Sequence, residues 1–223
     1  MAALDGASVQ DLFAFGLVFG PDEEGVLDAL MRFWIPEATL AAQGSGRSER
    51  DRLLLKQWAD EGWITVTPGN VTDYDLVEEQ ILEELARYEV NKLAFDRWGV
   101  TQLVTHLKDA LGEDRVVDFP QTMAAMSAPS KELEKRIKER KLRHGGNPVL
   151  RWMASNVALK EGPNEQIKPD RARSAEKIDG IITLIMGLDL ATREPAGTPS
   201  VYDERAARKP GPDDPPQELI DGW

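Results

Sequence analysis

The most informative segment of the sequence is Lys177-Ile178-Asp179-Gly180-Ile181-Ile182-Thr183-Leu184-Ile185-Met186-Gly187-Leu188. Beyond Asp179 it is apolar nearly all round, which is typical of a helix packed against a sheet. A carboxylate at the mouth of such a helix needs a hydrogen-bond donor, a cation or water, because burying it alone is costly. The simplest interpretation is an acid that the helix dipole favours at a helix start. Two more acids in comparable positions upstream point instead to a shared site.

The composition is that of one sizeable globular domain with a tail. The chain has 223 residues, of which 41% are hydrophobic and 30% charged. No apolar run approaches the roughly 18 residues of a membrane span, and the N-terminus lacks a signal-peptide pattern. We therefore predict no membrane partner. The absence of cysteine excludes disulfides and thiolate chemistry and is compatible with a cytosolic protein.

The charge of the chain is unevenly distributed. The net charge is −12, which at first argues against nucleic acid as a partner. Residues 131–177, however, contain 13 Lys/Arg against 7 Asp/Glu, or +6, so the remainder carries −18. A basic segment on an acidic body suits a protein that grips an anion on one face.

Alternation and helical periodicity predict the order of the elements. Three strands form an antiparallel meander, and strands then alternate with helices, which indicates parallel pairing through crossovers. Asp73 is the predicted N-cap of the amphipathic helix that starts at Tyr74. The predicted strands are 2–6, 12–19, 26–35, 63–66, 92–96 and 115–119. The predicted helices are 47–61, 74–88, 99–111, 131–143, 147–157 and 179–190. Residues 160–169 are predicted to form a hairpin or loop.

This order is that of an α/β, ribonuclease-H-like domain. We predict a central mixed five-stranded sheet, with the antiparallel meander first and the parallel strands after it, flanked by helices. The domain covers residues 1–190. Residues 191–223 are rich in proline and charge and cannot build a core, so we predict a disordered C-terminal tail.

Three acids fall where such a fold brings carboxylates together. Asp5 lies near the end of the first strand, and Asp179 begins the closing helix. Asp96 ends the predicted strand 92–96, which takes the place of the fourth strand of a ribonuclease-H-like fold. Mg²⁺ and Mn²⁺ prefer oxygen ligands, and two such ions about 4 Å apart can drive phosphodiester hydrolysis. We predict that Asp5 bridges both ions and that Asp96 and Asp179 each complete one shell. Asp11 is a fourth candidate ligand, and a turn-starting acid is the alternative.

Six segments together resemble the C-terminal nuclease domain of the large terminase subunit, the DNA-packaging motor of tailed bacteriophages. The resemblance covers residues 3–190 and rests on the order and spacing of the segments rather than on any one of them. They are Ala3-Leu4-Asp5 with Asp11-Leu12, Phe33-Trp34-Ile35-Pro36-Glu37, Ala94-Phe95-Asp96-Arg97-Trp98-Gly99 with Gln102-Leu103, Phe119-Pro120-Gln121-Thr122, Asn147-Pro148-Val149-Leu150-Arg151-Trp152 and Lys177-Ile178-Asp179-Gly180.

The resemblance implies a metal-dependent endonuclease that cuts concatemeric double-stranded genome DNA, with Asp5, Asp96 and Asp179 as its catalytic acids. It also implies portal protein and small terminase subunit as partners, and a place in the bacterial cytoplasm and transiently at the procapsid portal. The 223 residues contain no G-x-x-x-x-G-K-[ST] phosphate loop. We therefore expect an excised domain or split-gene product without the family's ATPase domain. Gly6 replaces a bulkier family residue, which we expect to loosen the first strand.

A basic segment supplies the candidate DNA-binding residues. The predicted helix 131–143 follows the last strand, so we expect it to flank the acids and to track phosphates. A solvated helix face is the alternative, since Glu132, Glu134 and Glu139 can pair with its cations. The candidates are Lys131, Lys135, Lys138, Arg140, Lys141, Arg143, His144 and Lys177.

Three function classes remain open from the sequence. The first is the packaging endonuclease. The second is another ribonuclease-H-like nuclease of resolvase or transposase type, which would share the acids but lack the Trp34-Ile35-Pro36 and Asn147-Pro148 segments. The third is a non-catalytic docking fragment of the packaging motor, which the presence of all three acids disfavours.

Overall fold

A computed structural model of the chain describes residues 1–6, 12–41, 48–96 and 101–193. Within these ranges, no helix is long and apolar enough to cross a membrane. The strands are β1 (Ala2–Asp5), β2 (Phe13–Phe19), β3 (Leu27–Pro36), β4 (Thr65–Thr67), β5 (Leu93–Phe95), β6 (Val116–Asp118), β7 (Leu142–Arg143), β8 (Leu159–Glu161) and β9 (Ile167–Pro169). The helices are α1 (Glu37–Ala41), α2 (Glu49–Asp60), α3 (Tyr74–Arg87), α4 (Thr101–Leu111), α5 (Met123–Lys138), α6 (Pro148–Asn156) and α7 (Asp179–Arg193).

The central sheet is mixed, as predicted. Its order is β4-β3-β2-β1-β5-β6, and β7 pairs with the start of β3. Strands β1 to β3 are antiparallel neighbours, whereas β1, β5 and β6 pair in parallel. The α/β class and the antiparallel-then-parallel arrangement are confirmed. The predicted count of five strands is wrong, because the edge strand β4 and the two-residue β7 bring the described sheet to seven.

Two hydrophobic cores cover the two faces of the sheet. Alternation along β1 sends Ala2 and Leu4 to the core that includes Val77 and Ile81 of α3. Ala3 points to the opposite core, which contains the apolar residues of α7. Asp5 follows Ala3 on that face by the same alternation, so β1 delivers its terminal carboxylate to the side of the sheet that α7 covers.

Helix α7 is the buried helix that its sequence predicts. Every residue from Asp179 to Ala191 is buried, and the helix packs across β1 and β2. A Cβ on Gly180 would lie 2.8 Å from the Phe33 ring and 2.9 Å from the Met153 sulfur, so glycine permits the close approach of the helix start to the sheet. The helix runs through Arg193, past the predicted domain end at 190. The rest of the predicted tail, 194–223, lies outside the described residues.

The predicted helix 131–143 is wrong at both ends. Helix α5 begins at Met123, where the Thr122 hydroxyl accepts a hydrogen bond from the Ala125 amide, and it continues through Pro129. It ends at Lys138, and Arg140 adopts a left-handed φ of 58°. The proline hid the first half of the helix from periodicity, since proline normally interrupts one. The predicted hairpin over 160–169 is confirmed as β8 and β9.

Candidate active site

The candidate site begins at the carboxyl end of β1. Neighbouring β1 and β5 are parallel, with Leu4 opposite Phe95, so one further step in this register sets Asp96 beside Asp5. The Asp5 side chain is almost completely buried, at 1% exposure, and Asp96 is half-buried. Parallel pairing therefore brings together two acids that are 91 positions apart in the sequence.

Asp179 joins them from the start of α7. It is the first residue of that helix and is buried. One guanidinium nitrogen of Arg171, Nη2, contacts Asp5 Oδ2 and also lies 3.6 Å from Asp179 Oδ1. The two carboxylates therefore converge on a single positively charged group.

A structured turn holds Arg171 in this position. The Asp170 amide donates to the Ala158 carbonyl at 2.8 Å, and Asp170 Oδ1 accepts from the Ala172 amide at 3.1 Å. The Ser174 hydroxyl donates to the Asp170 carbonyl at 2.8 Å. These bonds tie the turn after β9 to the segment that leads into β8, so the hairpin and Arg171 form one unit beside the acids.

Gln121 contacts the other oxygen of the central acid. Its Nε2 donates to Asp5 Oδ1 at 3.0 Å, and its backbone carbonyl accepts from Lys168 Nζ at 2.8 Å. Both carboxylate oxygens of Asp5 thus have donors, one neutral and one charged. This satisfies the requirement that a buried polar group be hydrogen-bonded.

The electrostatics of the site centre on Asp5. Burial raises the pKa of the Asp5 carboxyl to about 7, and the negative charges of Asp179 and Asp96 act in the same direction. Arg171, by its positive charge, and Gln121, by its hydrogen bond, oppose this shift in the pKa. The charges of Asp179 and Asp96 therefore both act on the Asp5 carboxyl.

The donor set fits a divalent cation in its chemistry. Carboxylate oxygens are the preferred ligands of Mg²⁺ and Mn²⁺, and the oxygens of Asp5 and Asp179 already converge on a cationic group. As the side chains stand, no three Asp, Glu or His residues in the described ranges are grouped to hold a metal ion. The guanidinium of Arg171 lies between the carboxylates of Asp5 and Asp179. Ligation therefore stays a prediction, and Asp11 lies outside the described residues.

Two open cavities flank Arg171. One, of about 280 Å³, has the polar residues Gln121, Lys160, Lys168, Asp170 and Arg171 in its lining. The other, of about 220 Å³, includes Lys177 and Asp179 in its lining, together with Arg171. Among the predicted DNA-binding residues, Lys177 thus lies next to the acids. Arg171 is common to both cavities and separates them.

Most of the predicted DNA-binding residues lie away from the acids. Strand β7 pairs with Leu27 and Asp28, whereas the register through β2 sets Asp5 level with Phe33. Five residues along a strand correspond to about 17 Å. The expectation that the whole basic segment flanks the acids is therefore wrong for its C-terminal part, which comprises Lys135, Lys138, Arg140, Lys141, Arg143 and His144. Lys131 lies midway along α5.

Two of these cations have acidic partners in the structure. Arg143 pairs with Asp22 at 2.9 Å and with Asp28 at 2.8 Å, and these contacts anchor β7 to β3. Lys138 pairs with Glu134 at 2.6 Å within α5. Such pairs are what the alternative of a solvated face predicts. The role of the segment in DNA binding stays untested.

Sequence reasoning missed four residues beside the acids: Gln121, Lys160, Lys168 and Arg171. In the sequence, Gln121 was noted only within the segment Phe119-Pro120-Gln121-Thr122 that resembles terminase nucleases. Residues 160–169 were predicted only to form a hairpin or loop. Arg171 lies eight positions before Asp179 in an irregular turn, where no periodicity places a side chain. The one available signal was the positive charge of residues 131–177.

A model of the protein family described as "Terminase large subunit, endonuclease domain" matches residues 4–194. The chain belongs to this terminase endonuclease family. The match runs from the second half of β1 to the end of α7 and includes all three predicted acids. It favours the first of the three function classes over the resolvase class.

Two relatives and one solved structure give the extent of the similarity. The large terminase subunit of Enterobacteria phage HK97 is 31% identical over 194 residues, or 86% of this chain and 37% of that protein. Protein YmfN of Escherichia coli K12 is 32% identical over 163 residues, or 72% and 35% of the two chains. The crystal structure of the HK97 large terminase matches with a TM-score of 0.73 and 28% identity, over 85% of this chain and 38% of that one. The chain thus spans well under half the length of these relatives.

Proposed function

We propose that this chain is a metal-dependent endonuclease domain that cuts concatemeric double-stranded phage DNA during genome packaging. The observation that carries the proposal is the convergence of Asp5 and Asp179 on one cation, Arg171, at the end of the central strand. The charge of Asp96 also acts on the Asp5 carboxyl. Membership of the terminase endonuclease family supports the same activity.

The chain's own residues divide the work as follows. Asp5, Asp96 and Asp179 hold the divalent ions, and Asp11 is a further candidate ligand. Gln121 orients Asp5 by donating to Oδ1. Burial of Asp5 keeps water away from its charge and strengthens its interaction with any cation that replaces Arg171. A bound pair of Mg²⁺ or Mn²⁺ ions supplies the activation of water and the stabilisation of the leaving oxygen in phosphodiester hydrolysis.

The partners follow from the family. We propose that the domain acts with an ATPase domain, a portal protein and a small terminase subunit, in the bacterial cytoplasm and transiently at the procapsid portal. DNA cutting by the domain alone has little sequence preference, because the candidate contacts are cations suited to phosphates rather than to base edges.

Plasmid cutting with Mn²⁺ or Mg²⁺ tests the activity. Asp5→Asn and Asp179→Asn should each lower cutting by more than about a hundredfold, since even outer partners of metal ligands cost 10–100-fold. Asp189→Asn is the matched control: Asp189 is also a buried acid of α7, but it pairs with Arg193 at 2.9 Å near the far end of the helix. Cutting by either site variant at the control's rate would refute the assignment. A folded wild type that binds DNA but never cuts would indicate the docking fragment.

A further inference from the structure

Arg171 is the cation between the two buried acids of the site. Its guanidinium is planar and always charged, so one nitrogen can serve two carboxylates at once. Asp5 and Asp179 are 1% and 7% exposed. Two buried carboxylates that face each other without a cation would be strongly unfavourable. Arg171 therefore neutralises the site in the metal-free protein.

The two carboxylates that Arg171 contacts are two of the three that would hold a divalent cation. Both groups are positively charged, so a divalent cation held by Asp5 and Asp179 would compete with the guanidinium for these two carboxylates. We infer that Arg171 and a divalent cation are alternative occupants of the Asp5–Asp179 pair, and that the displaced guanidinium then binds a phosphate of the DNA strand. This inference rests on the proposed function, since it names the residue that exchanges with the metal.

The surroundings of Arg171 provide a place for the displaced side chain. Arg171 is 38% exposed and lines both cavities at the site. In the larger cavity its neighbours include Lys160 and Lys168. Because Arg171 already lines this cavity, rotation about its side-chain bonds would bring the displaced guanidinium there while the backbone turn stays in place. An arginine there can bind a phosphate with two parallel hydrogen bonds.

The hairpin places two further cations in the lining of this cavity. Lys160 and Lys168 lie directly opposite each other in the β8–β9 register. Like charges in such a pair are destabilising, although Lys168 Nζ also donates to the Gln121 backbone carbonyl at 2.8 Å and Asp170 lines the same cavity. Glu161, the neighbouring acid, faces the other way by strand alternation. A phosphate in the larger cavity would relieve the repulsion and lie within reach of Arg171.

Binding of Mn²⁺ to the full chain, followed by electron paramagnetic resonance without DNA, tests the exchange. Arg171→Ala should bind Mn²⁺ at least about tenfold more tightly, since the competing charge is gone. Arg171→Lys should be closer to the wild type. Arg173→Ala, an exposed arginine of the same turn, is the control and should match the wild type. If Arg171→Ala unfolds, Arg171→Gln removes the charge but keeps a donor.

The second measurement is the affinity for a short fluorescent duplex in Mn²⁺, with gels to confirm that the duplex is intact. Arg171→Ala should bind it roughly tenfold more weakly, as expected for the loss of one charged phosphate contact, although it binds the metal more tightly. A purely structural ion pair predicts no gain in Mn²⁺ affinity, and that result would overturn the exchange. Unchanged duplex affinity would overturn the phosphate contact.

The two measurements also separate this inference from the proposed function. A wild type that neither binds Mn²⁺ nor cuts DNA would refute the proposed function itself. A wild type that binds Mn²⁺ and cuts, together with an Arg171→Ala variant that binds the metal no more tightly, would refute only the exchange.

Discussion

The guanidinium of Arg171 lies against the Oδ2 atom of Asp5, and the two residues are 166 positions apart in the sequence. Asp5 ends the central strand, whereas Arg171 belongs to a turn that follows the β8–β9 hairpin. The contact brings a positive charge to a carboxylate that is almost fully buried. The charge state of the site therefore depends on the hairpin and its turn as well as on the sheet.

The stability of the metal-free protein should fall as pH rises from about 4 to about 7. Burial raises the pKa of Asp5 from 3.8 to about 7, so in this window the folded state holds a proton that the unfolded chain has released. The stabilisation is complete below the unfolded pKa and is lost as pH passes the folded pKa. Its size is on the order of a few kcal/mol.

Thermal unfolding in EDTA across this range measures the effect. Asp5→Asn should show a flatter dependence of Tm on pH than the wild type. Asp60→Asn, an exposed acid at the end of α2, controls for the loss of one charge. Parallel curves for the wild type and Asp5→Asn would show that Asp5 does not hold the proton.

Mn²⁺ binding should be coupled to proton release from the same carboxyl. Below pH 7 the ion must displace the Asp5 proton, so the apparent affinity should rise about tenfold per pH unit and level off above pH 7. Calorimetry in buffers of different ionisation enthalpy should detect up to one proton released per ion. An affinity that is flat between pH 5 and 7 would exclude Asp5 as the titrating ligand.

Gln121→Ala should shift the pH dependence of cutting upward. The amide of Gln121 stabilises the ionised form of Asp5, so its loss raises the pKa of that carboxyl further. The rate should fall most at low pH and recover partly at pH 8 to 9. Gln121→Glu adds a negative charge at the same place and should shift the profile further in the same direction. An equal loss at every pH would indicate a merely structural role.

Charge reversal should identify which basic surface binds DNA. Lys160→Glu with Lys168→Glu should weaken duplex binding and lower the salt slope, by about 0.9 log unit per lost phosphate contact. Reversal of Lys135, Lys138 and Lys141 should have the smaller effect, because their part of the chain lies about 17 Å along the sheet from the acids. Fluorescence anisotropy over a salt series measures both. A larger loss of duplex affinity from the reversal of Lys135, Lys138 and Lys141 would place the DNA along α5 and the residues that follow it.

Gly6→Ala should destabilise the fold by about 1–3 kcal/mol, the usual cost of overpacking. A Cβ at this position would lie 2.2 Å from the Phe13 ring. The structure thus shows the residue after Asp5 tightly covered by Phe13. Phe13→Leu in the same chain should rescue part of the loss, and a double-mutant cycle from denaturant unfolding measures the coupling. If the destabilisation by Gly6→Ala and that by Phe13→Leu simply add, the added methyl is accommodated by a shift of β1 rather than by the Phe13 ring.

The order of the elements and the positions of the acids could be predicted from the sequence. Alternation located β1 to β3 and β5, helical periodicity located α3, and the apolar run located α7, because these patterns are local and repeat within a single element. The same patterns set Asp5, Asp96 and Asp179 at element ends, where a parallel sheet and a closing helix must meet. The resemblance to terminase nuclease domains depended on these same segments.

The residues that face the acids could not be predicted from the sequence and are known from the folded chain. Arg171 and Gln121 reach Asp5 from loops, and side-chain contacts between loops and a strand end have no periodicity from which to predict them. The position of the basic residues 135–143 relative to Asp5 also could not be predicted from the sequence. Because β7 pairs with the start of β3 and not with its end, the cations of residues 135–143 lie at the opposite end of the sheet from Asp5. Charge counting located a basic segment, but strand register decides which of its charges meet the site.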